Sequence, residues 1–185
     1  DGGSSWAELT DGLPQGDKGR IGLDVYRRDG NVVCALVEAD ARTPGQGRGG
    51  GPAPDDQENG VYCSSDRGDS WQQMSTTNNR PMYYSQIRID PNDPERIYLG
   101  GSDLYRSSDG GRNFTNDAAD GVHPDHHALW VDPNDSDHLL LGSDGGLTVS
   151  WDRSDSWYQF RNLPIAQFYE IGIDTREPYH VCGGL

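Results

Sequence analysis

The eight residues Ser107-Ser108-Asp109-Gly110-Gly111-Arg112-Asn113-Phe114 constrain this chain more than any other stretch, because their pattern returns at a fixed interval. Ser64-Ser65-Asp66-Arg67-Gly68-Asp69-Ser70-Trp71 is a second copy. Ser150-Trp151-Asp152-Arg153-Ser154-Asp155-Ser156-Trp157 is a third, with Ser154 in place of the glycine, and Asp1-Gly2-Gly3-Ser4-Ser5-Trp6 carries the tail of a fourth. The aspartates Asp66, Asp109 and Asp152 lie 43 residues apart each time. In the shared form Ser-x-Asp-x-Gly-x-(Ser/Asn)-aromatic, the aspartate bonds its own backbone through a tight turn, and the glycine supplies a left-handed position. The aromatic opens the returning strand and is large enough to fill the space between two packed sheets. Asp1, Trp6, Asp66, Gly68, Trp71, Asp109, Gly111, Phe114, Asp152 and Trp157 are assigned this structural role.

A second series, Asp90-Pro91, Asp132-Pro133 and Asp174, recurs every 42 residues. A period of about 40–45 residues with several short strands per unit is the mark of propeller blades. The expectation is an all-β chain, a β-propeller segment of four-stranded antiparallel blades. Residues 1–19 end one blade, 20–75 form a second, 82–117 a third and 123–161 a fourth, and 167–185 open another. Asp1 and Asp66 are 65 residues apart, and the Gly- and Pro-rich stretch 41–60 accounts for the excess as an inserted loop. In the first full unit, Arg20 to Tyr26 and Val32 to Glu38 form a hairpin about Asp29-Gly30. Tyr83 to Ile89 and Asp125 to Val131 open the next two units, and Phe114 and Trp157 each begin an outer strand. A ring needs about four to eight blades to close. The chain is therefore expected to rely on remaining blades of the same propeller or on a partner chain.

Composition supports a turn-dense β protein. Only 32% of the residues are hydrophobic and 25 are Gly, which leaves no room for a long helix or a membrane span. Asp outnumbers Glu by 24 to 6, and Asp favours turns where Glu favours helices. The net charge of -15 argues against nucleic acid, whose phosphates require a basic face. Three cysteines lack metal-site spacing. Cys34 and Cys63 fall on neighbouring strands, so a cross-strand disulfide and a pair of buried free thiols are the two readings.

The repeated pattern resembles the Asp box of bacterial neuraminidase repeat β-propellers, a group that includes sialidases, xyloglucanase-type glycosidases, sortilin ectodomains and photosystem-assembly propellers. Arg20-Ile21-Gly22-Leu23, Val33-Cys34-Ala35-Leu36-Val37-Glu38-Ala39, Arg80-Pro81-Met82-Tyr83-Tyr84-Ser85-Gln86-Ile87, His126-His127-Ala128-Leu129-Trp130-Val131-Asp132-Pro133 and Ala166-Gln167-Phe168-Tyr169 narrow it. These look like the N-terminal propeller of large bacterial sortilin-like (Vps10-like) proteins, often labelled glycosyl hydrolases. The resemblance covers essentially the whole chain and departs at Cys63, where that family usually has Arg, and at Ser154. It implies a secreted, periplasmic or cell-surface bacterial protein.

The first strand of each blade lines a propeller's channel, which puts a polar and aromatic lining in front of each Asp-Pro turn. Tyr83, Tyr84, His127, Trp130, Phe168 and Tyr169 are the contact candidates, with Arg88 and Glu170 supplying charge. Strand alternation turns His126 away from His127 and would let His123, Asp125 and His127 share a face, a set suited to Zn. Calcium is a second candidate at the oxygen-rich turns Asp90-Pro91-Asn92-Asp93 and Asp132-Pro133-Asn134-Asp135-Ser136-Asp137. Both have a bland alternative in ordinary hydrogen bonding, and no cofactor is expected. Glu170 and Asp125 are the two carboxylates that a glycosidase reading would use. The reading preferred from the sequence is a non-catalytic propeller that binds protein, peptide or glycan. The alternatives are a glycoside hydrolase acting on polysaccharide and a structural subunit of a larger assembly.

Overall fold

A computed structural model of the chain describes residues 2–39, 58–79, 81, 83–163 and 170–184. Asp1, Phe168, Tyr169 and nearly all of the 41–60 loop lie outside these residues. The described residues form thirteen strands and no α-helix, and no helix is long and apolar enough to cross a membrane.

The first sheet is β1 (Lys18–Val25), β2 (Val33–Ala39), β3 (Gly60–Ser64) and β4 (Gln72–Ser75), ordered as in the chain and antiparallel throughout. The second holds β5 (Gln86–Asp90), β6 (Asp93–Gly100) and β7 (Leu104–Ser107). The third holds β8 (His126–Asp132), β9 (Asp135–Ser143), β10 (Gly146–Ser150) and β11 (Tyr158–Gln159). A hairpin of β12 (Glu170–Ile173) and β13 (Val181–Gly184) follows, exposed along its length. The second sheet lacks the outer strand expected from Phe114. In its place Thr115 pairs with Arg106 as an isolated bridge and the Ala118 amide donates to the Leu104 carbonyl at 3.3 Å, while Asp117 between them accepts from the Arg106 guanidinium and the Thr115 hydroxyl.

Alternate residues of adjacent sheets meet to form the core. Leu36 and Val61 of the first sheet pack on Ile87, Ile89, Ile97 and Leu99 of the second, and Tyr98 and Leu104 of the second on Leu129, Val131, Leu139 and Leu141 of the third. Each fully buried aliphatic contributes about 1.5–3 kcal/mol. Phe114 enters the first interface, Trp157 the second, and Trp71 takes the equivalent place beside Ala35, Val37 and Tyr62 with Leu13 over it. Trp6 departs from this scheme. It is 91% exposed, with no sheet against it among the described residues.

Each Ser–Asp corner is closed by the same bonds. The Ser64, Ser107 and Ser150 hydroxyls donate to Asp66, Asp109 and Asp152 at 2.7, 2.8 and 2.9 Å and accept the amides of Gly68, Gly111 and Ser154. Hydrogen bonds from the Ser70 hydroxyl and amide hold the Asp66 carboxyl at about 2, and those from Asn113 hold Asp109 at about 2. Cys34 and Cys63 stand opposite each other in the β2–β3 register and are joined by a disulfide.

Candidate functional site

β5 lies between β1 and β8, so the three opening strands share one wall. A cleft of 380 Å³ runs along it, bounded by Leu23, Asp24, Arg27, Arg88, Pro91 and Trp130 among others. Asp24 spans the first two sheets by accepting the Ile89 amide at 2.7 Å. Arg88 is fixed by donating to the Leu129 carbonyl at 3.2 Å and the Ile87 carbonyl at 2.6 Å, which aims a held guanidinium at the cleft. Trp130 is 39% exposed and stands edge-on to His138. His138 pairs with Asp132 at 3.1 Å and stacks flat on Trp151 with ring centroids 3.9 Å apart. Sequence reasoning overlooked His138 and Trp151. The available signal was Trp151 itself, an exposed aromatic where the other corners carry Ser65 and Ser108.

Tyr83, Tyr84 and His127 gather where the second and third sheets meet. The two tyrosine rings are 4.9 Å apart, and His127 lies 5.3 Å from Tyr84 and 6.1 Å from Tyr83. Tyr83 is 48% exposed and Tyr84 only 2%. Tyr84 is therefore corrected from contact residue to support: its ring is enclosed, and its hydroxyl donates to Asp125. The Arg20 guanidinium holds the Tyr83 carbonyl at 2.7 Å, and His127 Nε2 meets Asp144 at 3.1 Å.

The local backbone explains why the sequence pattern misplaced these groups. Ser85 (φ 44°) and Asp125 (φ 67°) are both left-handed without being glycine, a strained state that packing must hold. β5 therefore starts at Gln86 instead of Tyr83. Asp125 precedes β8, and its amide donates to the Ser102 carbonyl at 3.1 Å. A bulge between His126 and Ala128 breaks the alternation, burying His126 and leaving His127 exposed. His123, Asp125 and His127 consequently do not line up on a strand face, and among the described residues no group of three His, Cys, Asp or Glu is placed to hold a metal.

In the oxygen-rich turns Asp90 Oδ1 accepts the Asn92 amide and the Ser136 hydroxyl while its buried Oδ2 has no hydrogen-bond partner, and Asp132 accepts the Asn134 amide and pairs with His138. Glu170 stands exposed on the β12–β13 hairpin.

No protein-family profile matches the chain, and no curated protein matches it in sequence. Among solved structures it is similar to the GH74 enzyme of Niastella koreensis, with 16% identity over 76% of this chain and 22% of that one and a TM-score of 0.57. It is similar to the GH74 xyloglucanase of Xanthomonas campestris, with 17% identity over 77% and 23% and a TM-score of 0.52. YCF48 bound to D1 peptide gives 17% identity over 95% and 51%, with a TM-score of 0.56. The chain thus spans about half, or less, of the length of these proteins. All are β-propellers, and the likeness shows that fold for this chain.

Proposed function

We propose that this chain is a non-catalytic binding segment of an extracellular propeller that recognises protein, peptide or glycan with the face built by Tyr83, His127, Arg88 and Trp130. The observation that carries the reading is the Tyr83–Tyr84–His127 cluster. It presents a half-exposed tyrosine and an exposed imidazole, each two residues from a strained backbone position (Ser85 and Asp125), at a seam between sheets, where ligand sites tend to form. Aromatic faces supply area, and the fixed Arg88 and Asp144 supply orientation. The peptide held by YCF48 fits a binding role on this architecture. Phe168, Tyr169 and Glu170 belong to the same proposal from their sequence position. The Ser–Asp corners support membership of the Asp-box propellers of the sortilin-like type. The Cys34–Cys63 disulfide supports a secreted, periplasmic or cell-surface location.

A second reading, glycoside hydrolysis through Asp125 and Glu170, is favoured by the likeness to GH74 enzymes. In calorimetry against arrayed peptides and polysaccharides, including xyloglucan, the binding reading expects a ligand that is retained unchanged. Tyr83→Ala and His127→Ala should each weaken it about ten-fold. Release of reducing sugar that Asp125→Asn abolishes would replace this reading with the second.

A further inference from the structure

Beside the aromatic cluster a separate cleft of 240 Å³ opens between the β6–β7 turn and the connection leading into β8. Its floor is Leu104 and His126, 1% and 2% exposed. Ala119, Val122 and Pro124 give it apolar walls, and the exposed carboxylates of Asp103 and Asp120 stand at the rim. The main chain fixes this shape, since the His126 amide donates to the Gly101 carbonyl at 2.7 Å and the Asp125 amide to the Ser102 carbonyl.

Three features specify what the cleft would take. Among the described residues neither Asp103 nor Asp120 has a cationic partner. The buried Nδ1 of His126 also has no hydrogen-bond partner, and the Asp103 carboxylate acts on the same ring electrostatically. Burial holds the His126 imidazole below its ordinary value, so it is neutral at neutral pH and adds no positive charge to the site. An anion would be repelled, and a neutral sugar would leave both carboxylates without a counter-charge. A bare metal ion would lack three ligands. A cationic head on an aliphatic stem satisfies rim and walls together, because methylenes cover apolar wall while the charge reaches the rim.

We propose that this cleft receives a lysine or arginine side chain of a polypeptide partner. The proposal rests on the binding reading above and makes it specific: the partner is a peptide or protein, and it is basic where it meets Asp103 and Asp120.

The test is titration of the chain with a tetralysine peptide at low salt, read by amide shifts in NMR and by calorimetry. Shifts should concentrate at 101–103 and 119–126. Asp103→Asn with Asp120→Asn should weaken binding about ten-fold. Asp17→Asn with Asp69→Asn, which removes the same charge elsewhere, should leave affinity within two-fold, roughly the size of a bulk-charge effect. Equal losses in the two double variants, or shifts spread over the acidic surface, would overturn the proposal. If some peptide or glycan binds in a Tyr83-dependent way while the Asp103/Asp120 variant binds it normally and tetralysine produces no local shifts, the cleft proposal fails and the wider binding reading stands.

Discussion

Two consecutive left-handed residues close every Ser–Asp corner: Arg67 and Gly68, Gly110 and Gly111, Arg153 and Ser154. The first of each pair donates its amide across to a neighbouring turn, at the carbonyls of Asn31, Glu95 and Asp137. Where that residue is arginine, Nε adds a bond to the Asn31 or Asp137 side chain, which offsets part of the backbone strain. The second position donates its amide only within the corner, to the serine hydroxyl, and Ser154 sits there buried at φ 74°. Ser154→Gly should raise stability by about 1 kcal/mol, the left-handed penalty less the entropy of a new glycine. Urea unfolding measures it, and a loss of stability would mean that the weak Arg106 contact to the serine hydroxyl matters more. Gly22 is needed for another reason. A Cβ there would meet the Ser85 carbonyl oxygen at 2.0 Å, where β1 passes the residue that sets Tyr83 and Tyr84. Gly22→Ala should cost about 1–3 kcal/mol and weaken ligand binding without removing a contact residue. The corner residues could be read from the chain because the Ser and Asp bonds that close each corner span four residues or fewer. Gly22 gave no such signal, since its neighbour is 63 positions away.

At the scale of elements, β2 and β3 are held by their ladder and by the Cys34–Cys63 bond, which closes a separation of 29 residues that contains the inserted loop. Cross-linking across a loop of that length is worth about 3–4 kcal/mol in the chain-entropy picture. Replacing both cysteines by serine should lower stability by about that amount, and an unchanged melting temperature would show that the loop is restrained by other means. The corners make the sheets sensitive to acid in a defined direction. Asp66 and Asp109 hold their protons less tightly in the folded chain than the ordinary value of 3.8. Their contribution is therefore present above pH 3.8 and lost as pH falls toward about 2. Thermal melts followed by circular dichroism should stay level down to about pH 4 and then fall, and Asp109→Asn should flatten that fall. Strand order was legible in the turns and the repeat. The reduction of the outer strand after Phe114 to a single bridge was not, because Arg106 there pairs with Asp117 and also, 49 residues on, with Asp155 at 2.7 Å.

Across the whole molecule, Ile21, Leu23 and Val25 occupy on β1 the face that Ile87 and Ile89 occupy on β5 and Leu129 and Val131 on β8. The latter pairs are buried, whereas the β1 residues are 45–60% exposed. In the second and third sheets the corresponding face is covered by the sheet before it.

By itself the sequence determined the corners, the 43-residue period, the antiparallel strand order and the interfaces that Phe114 and Trp157 fill, because each of these follows from short-range bonding and from alternation along a strand. Only the tertiary structure decided that Tyr84 is enclosed while Tyr83 and His127 face outward, that Asp125 serves Tyr84 instead of a metal, and that a carboxylate-rimmed cleft opens over His126. Those outcomes depend on contacts between residues some forty positions apart and on a bulge and two left-handed residues, and side-chain alternation in the sequence carries no record of either.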